Sequence, residues 1–131
     1  MPATALYAAL LALLFLFMSA YTVRLRGRLR VGLGDGGERT MTRAMRAHAN
    51  FAEYVPLALL LMYIMERHTN SLAWVHTLGV LLVVARVCHA YGFGREPETF
   101  QLRAVGFSLT FVVIAVAALR LLWVWILAAA V

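Results

Sequence analysis

Arg46, Asn50, Glu53 and Tyr54 stand in the run RAHANFAEYVP, residues 46–56, where an arginine, an asparagine and a carboxylate interrupt an otherwise apolar segment. At ~100° per residue on an α-helix they fall at i, i+4, i+7 and i+8, so all four share one face. Glu53 lies about 10 Å beyond Arg46 at ~1.5 Å per residue. In a membrane-spanning helix a carboxylate at that depth costs on the order of 2.5–3.5 kcal/mol on insertion scales. Such a side chain faces protein, a cavity or a ligand rather than lipid. Two chemistries use a stripe of this kind. Polar groups inside a membrane fasten helices together, at ~0.6–2 kcal/mol per hydrogen bond, and Glu53 paired with Arg46 or Arg103 fits that role in a bundle or an oligomer. The other is binding of a small zwitterionic, carboxylate-rich ligand, with guanidinium groups on its carboxylates and Glu53 on its amine. Glutathione is one such molecule, although charge alone does not single it out.

The rest of the chain supplies the helices that position this stripe. Of its 131 residues 63% are hydrophobic, and the mean hydropathy is +0.82; soluble domains average ~45–50% apolar. This composition predicts a single all-α transmembrane domain over 1–131, an up-down four-helix bundle with helices at about 5–24, 40–66, 71–92 and 100–130. Leu6 to Val23 carries no charge and no basic stretch precedes it, so it reads as a retained helix rather than a signal peptide. RLRGRLR, Arg24 to Arg30, and the glycine-rich VGLGDGGERT then form a loop. Its alternating arginines read as a headgroup anchor, not as a nucleic-acid contact. Pro56 frees the carbonyl of Ala52 and predicts a kink beside the polar stripe. The short turn Glu66 to Ser71 makes the third helix an antiparallel neighbour, and Gly92 and Gly94 are expected to stop that helix. REPE, Arg95 to Glu98, is the next loop. Arg103 opens the fourth helix, and Arg120, Trp123 and Trp125 mark its far interface.

All twelve basic residues other than histidine are arginine, and the net charge is +6. Ten of them fall in or beside the first and third loops, which places those loops in the cytoplasm and both termini outside it. Arg46, Asn50, Glu53, Arg86, His89 and Arg103 then meet at similar depth near the cytoplasmic face. His48, His76, His89 and Glu53 lack the spacing of a metal site. Cys88 reads as a packing thiol, and one cysteine excludes an internal disulfide framework. No nucleophile elbow or phosphate loop is present.

RAHANFAEYVP resembles the signature of the MAPEG family, the membrane-associated proteins of eicosanoid and glutathione metabolism. The family's pattern R-x-x-x-N-x-x-E-Y-x-P is matched at Arg46, Asn50, Glu53, Tyr54 and Pro56. The four helices, the basic first loop and the arginine opening the fourth helix extend the likeness over the whole chain, as a bacterial member. The resemblance implies a homotrimer with three glutathione sites between adjacent subunits. It implies that Arg46, Asn50, Glu53 and Tyr54 hold glutathione, that His48 occupies a contacting position, and that Arg103 stabilises the thiolate. One of Arg24 to Arg30 matches a further glutathione-binding arginine. Where the leukotriene-synthase branch has tyrosines after the helix-three arginine, this chain has His89 and Tyr91, and the interval from Arg86 to Arg103 is longer. The expected activity is a glutathione-dependent transferase or peroxidase in the inner membrane, acting on lipophilic electrophiles or hydroperoxides. The alternative is a non-catalytic trimeric scaffold that binds lipid or a partner.

Overall fold

The structure, a computed structural model, describes residues 1–68, 71–94 and 99–129. They form four helices: α1 (Ala3–Leu29), α2 (Arg39–Arg67), α3 (Leu72–Gly94) and α4 (Phe100–Ala129). Residues 69–70 of the expected turn, the loop REPE and the last two residues, Val131 among them, lie outside the described residues.

Three helices, α1, α3 and α4, are long and apolar enough to cross a membrane. α2 has the length, but its arginines, Asn50 and Glu53 keep it below that composition. It nevertheless traverses the same depth, because it runs antiparallel along α1. Leu25 packs with Met41 and Ala44 at one end, the Ser19 hydroxyl meets His48 Nε2 at 2.8 Å further along, and the Thr4 hydroxyl donates to Glu66 at 2.7 Å at the other end. α3 runs parallel to α1, with the Tyr7 hydroxyl 2.8 Å from His76 Nδ1, and α4 returns antiparallel to α3. The result is the expected up-down all-α bundle. α2 and α3 form its centre and touch every other helix, while α1 and α4 lie on opposite sides and do not meet.

The reason lies in the apolar stripes. On α2 the buried Phe51, Val55, Ala58, Met62 and Met65 recur at helical spacing and pack with Val75, Leu78 and Leu82 of α3. Two glycines set the closest approaches. A Cβ on Gly79 would lie 2.3 Å from the Tyr7 ring, and one on Gly106 would lie 2.4 Å from the Ala85 carbonyl oxygen, so α4 seats directly on the α3 backbone. Outward, large side chains such as Leu13, Phe17, Val80, Leu119 and Trp125 are exposed, the surface of a protein solvated by lipid.

The loop between α1 and α2 differs from expectation. α1 continues through the arginines to Leu29, because arginine is a good helix former and nothing there breaks the ladder. It closes with Arg30 in the left-handed conformation (φ 57) and the Val31 amide bonded to the Arg26 carbonyl at 3.0 Å. The glycine-rich turn is held rather than loose. Arg26 Nη1 donates to the Gly34 carbonyl at 2.9 Å, and Asp35 accepts from the Thr42 hydroxyl at 2.7 Å and the Gly37 amide at 3.0 Å. The Thr42 hydroxyl, with that amide, holds the Asp35 carboxyl below its usual range. Gly92 is inside α3 rather than ending it. A Cβ there would lie 2.9 Å from the Arg103 amide, so its absence brings the ends of α3 and α4 together. Glu66, read only as a helix end, accepts from the Ala3 and Thr4 amides and so satisfies donors left open at the start of α1.

Candidate functional site

The apolar stripe that buries one side of α2 leaves Arg46, Asn50 and Glu53 on its other side, facing α4 and the end of α3. A cleft of about 410 Å³ opens there, within the ~300–1,000 Å³ usual for small-molecule sites. Its polar lining is Arg46, Asn50, Glu53, His89, Arg103 and Ser108, and its apolar wall includes Phe93, Phe100 and Phe107. Five of the residues singled out in the sequence are therefore brought to one place from three helices. The aromatic wall escaped the sequence reading. Phe100, Arg103 and Phe107 recur at i, i+3 and i+7, and the periodicity applied to α2 would have found them on α4.

The charged groups differ in how they are held. The Arg103 guanidinium lies over the rings of Phe93 (4.8 Å) and Phe100 (5.5 Å), which restricts it. Glu53 is exposed on the cleft and makes no hydrogen bond or ion pair with any described residue. Among the described residues it does not fasten helices.

Two buried groups lie beneath the cleft. Arg86 is 1% exposed, and its Nη2 donates to Asn50 Oδ1 at 2.9 Å. With that oxygen accepting from Arg86, the Asn50 amide nitrogen remains as a donor. Arg86 was expected to share the ligand face; instead it reaches the cleft only through Asn50, because position 86 faces α2 across the bundle. Its Nε and Nη1 are buried without a hydrogen-bond partner among the described residues. The Phe51 ring lies 5.6 Å from its guanidinium carbon. His89 Nδ1 is 3.3 Å from the Arg103 carbonyl oxygen, which only accepts, so Nδ1 carries a proton, and in the neutral ring Nε2 then keeps a lone pair. That Nε2 is also buried without a partner among the described residues. Each such group costs about 1–3 kcal/mol if nothing satisfies it.

Tyr54 and His48 stand elsewhere. Tyr54 packs edge-on against Phe107 (5.5 Å) and Phe111 (5.4 Å), beside the cleft and between α2 and α4. His48, two residues from both Arg46 and Asn50, is turned ~200° around the helix and faces α1. It stacks on Phe15 at 4.6 Å and bonds Ser19, so in one chain it is a packing histidine and not part of the cleft. Cys88 is a half-buried free thiol outside the cleft lining. Among the described residues no group of three His, Cys, Asp or Glu side chains is placed to hold a metal.

Comparison with known proteins decides what this arrangement descends from. The MAPEG family profile matches residues 4–123, nearly the whole chain. The chain belongs to the MAPEG family. It is also 40% identical over 120 residues to the Inner membrane protein YecN of Escherichia coli strain K12, covering 92% of this chain and 90% of that protein. The YecN protein of E. coli O6:H1 matches to the same extent. The stretch that lines the cleft from α2 is the one that carries the family likeness in the sequence, and the match runs past it through all four helices.

Proposed function

We propose that the cleft binds glutathione and that the protein is a glutathione-dependent transferase or peroxidase acting on lipophilic electrophiles or hydroperoxides. The observation that carries this reading is Glu53. A carboxylate on a membrane-embedded helix, left without a partner among the described residues and set in a cleft with Arg46 and Arg103, suits a ligand bearing both charges. Arg46 would hold a glutathione carboxylate, Glu53 its ammonium group, and the Asn50 amide, oriented by Arg86, a backbone carbonyl. The buried His89 Nε2 offers an acceptor beneath them. The family includes glutathione transferases and peroxidases, which supports the same reading.

Arg103 carries the chemistry. Permanently charged and kept against aromatic faces, it favours a thiolate over a thiol of pKa ~8.5, and each unit of depression corresponds to ~1.4 kcal/mol. The thiol proton passes to solvent. In conjugation with an aromatic halide the thiolate sulfur then forms a bond to the ring carbon and the halide leaves. We place the protein in a bacterial inner membrane, as its relatives' name states of them, as a homotrimer with both termini outside the cytoplasm. Cysteines substituted in the Gly32–Gly37 turn then label only from the cytoplasmic side, and labelling from outside overturns that orientation.

The binding reading is tested by thermal unfolding in detergent with and without glutathione. A ligand that binds only the folded state raises the melting temperature with concentration, by RT ln(1 + [L]/Kd) in stability. No shift at millimolar glutathione refutes binding and leaves a trimeric scaffold whose neighbouring copies supply the partner of Glu53.

A further inference from the structure

A second cavity, of about 380 Å³, lies on the other side of the α2–α3 pair, between α1, α2 and α3. It opens to the outer surface of the bundle, where its lining residues Phe17 and Val87 are exposed. Its walls change character in one direction. On α1 the lining residues Leu14, Phe17 and Tyr21 recur at i, i+3 and i+7, and Arg24 and Arg28 continue the same stripe toward the glycine-rich turn. On α2 the wall runs from Ala47 and Ala44 to Arg43 in that direction. The antiparallel register set by Ser19 with His48 and by Leu25 with Met41 puts Arg24 level with Arg43. Both walls thus pass from hydrocarbon, through the hydroxyls of Tyr21 and Thr22, to a pair of guanidinium groups. Arg24 is exposed and makes no hydrogen bond or ion pair with any described residue. Among the described residues no carboxylate lines the cavity.

We infer that this groove binds an anionic phospholipid of the surrounding leaflet, with one acyl chain along Leu14, Met18 and Val87 and the phosphate between Arg24 and Arg43. The inference does not depend on the glutathione reading of the charged cleft. The order of groups along the walls carries it, because a phospholipid presents the same order: hydrocarbon, ester oxygens, phosphate. The deep walls offer only dispersion contacts, which suits an alkyl chain and no polar group. From Leu14 to Tyr21 the helix rises about 10 Å, so the groove takes the first part of one chain and the remainder runs into the bilayer. The Tyr21 hydroxyl stands at the level where the ester oxygens follow. Beyond it, guanidinium groups on two helices can each bond the phosphate through paired N–H donors. A free phosphate would leave the apolar depth unfilled, and a simple alkane would leave the two cations unanswered. A headgroup with its own ammonium group would bring a third cation to a rim without a carboxylate. The site therefore favours a headgroup whose net charge is negative, such as phosphatidylglycerol, over phosphatidylethanolamine. A distributed attraction of basic loops to anionic lipid does not require a chain-sized groove beneath the cations; this site joins the two.

The test is lipid-dependent unfolding of the full chain. The protein is delipidated in a non-ionic detergent, and its melting temperature is followed as phosphatidylglycerol, phosphatidylethanolamine with the same acyl chains, or glycerol 3-phosphate alone is added. A ligand of the folded state raises the melting temperature with concentration. Phosphatidylglycerol is expected to act at a several-fold lower concentration than phosphatidylethanolamine, and glycerol 3-phosphate to give no shift. Arg24→Gln removes a side chain without a partner among the described residues, so the lipid-free melting temperature should hold. The phosphatidylglycerol concentration needed should rise roughly fivefold, as for one basic residue at an anionic surface. Arg30→Gln makes the same change of charge about 180° round the helix from Tyr21 and should leave that concentration unchanged. Equal potency of the two lipids, equal losses in the two variants, or a shift with glycerol 3-phosphate alone each overturns the inference, because the attraction is then unselective, diffuse or for a free anion. A second arm locates the chain. Phosphatidylglycerol carrying a photoreactive diazirine early on one acyl chain is irradiated with the protein in nanodiscs, and labelled residues are mapped. Val87 is exposed and lines the groove, so Val87→Trp fills it without disturbing the core; Val84→Trp, exposed and outside the lining, is the control. Labelling at Leu14 or Met18 that Val87→Trp abolishes and Val84→Trp preserves supports the inference. Labelling spread evenly over outward residues such as Leu13 and Val84 overturns it, because only bulk lipid then meets this face. Absence of labelling at Leu14 and Met18 also overturns it, because a second copy or another occupant then covers the groove. None of these outcomes alters the glutathione reading, which is tested by its own melting shift on the same preparations.

Discussion

Replacing Glu53 by glutamine separates a ligand contact from a structural one through the signs of two effects. Glu53 has no partner among the described residues of its own chain, so its charge stabilises nothing in the ligand-free monomer. At its depth the charge costs on the order of 2.5–3.5 kcal/mol on insertion scales, and an amide of the same shape costs less. Glu53→Gln should leave the ligand-free melting temperature unchanged or raise it. The bound state should respond in the opposite direction. A hydrogen bond to a charged group contributes about 1.5–3 kcal/mol, so losing the contact to the glutathione ammonium should weaken affinity by roughly 2 kcal/mol, or ~30-fold. The assay is a glutathione titration of thermal unfolding in detergent, with chemical crosslinking to follow the oligomer. A lower ligand-free melting temperature together with loss of the oligomer would refute the reasoning, because Glu53 would then be fastening subunits.

Two further outcomes follow from the packing. Gly106→Ala puts a methyl group 2.4 Å from a backbone oxygen of α3 and 2.7 Å from the His89 amide, so it should cost about 1–3 kcal/mol of stability and weaken glutathione binding. Gly27→Ala, inside α1 with nothing within 4 Å, should instead stabilise by about 1 kcal/mol; equal melting temperatures for the two variants would contradict this account of the helix approach. Glu66→Ala, which leaves the Ala3 and Thr4 amides uncapped, should destabilise by roughly 1–2 kcal/mol, with hydrogen exchange accelerated at the start of α1 rather than at the cleft.

α1, α3 and α4 were legible because apolar runs of spanning length are local signals, and α2 because its apolar residues recur at helical spacing after the glycine-rich turn. The gathering of Arg46, Asn50, Glu53, His89 and Arg103 was legible from periodicity combined with up-down topology, which fixes depth without any contact being known. What stayed hidden depends on partners distant in sequence. His48 lies two residues from the stripe on either side, and only the Ser19 and Phe15 contacts show that it serves the α1–α2 seam. Arg86 shares a helix end with His89, yet its burial and its bond to Asn50 make it a support for the cleft rather than a wall of it. Gly92 looked like a stop signal because glycine commonly ends helices; the approach of Arg103 gives it a different use. Glu66 capping the start of α1 links residues over sixty positions apart, beyond any local pattern.

Glutathione in the cleft, with Arg103 favouring its thiolate, is the central proposal for this protein. It is tested most directly by the ultraviolet difference spectrum of the protein with glutathione near neutral pH, recorded for the unmutated chain and for Arg103→Leu. The unmutated protein should show a thiolate band. The variant should lose it while still binding through Arg46, Asn50 and Glu53, and its rate with an aromatic halide should fall by ~10²-fold or more and recover in part as the pH rises. A band that survives in Arg103→Leu would move the activating role to another residue. Its absence from the unmutated protein, with glutathione demonstrably bound, would contradict catalysis at this cleft and leave a binding protein.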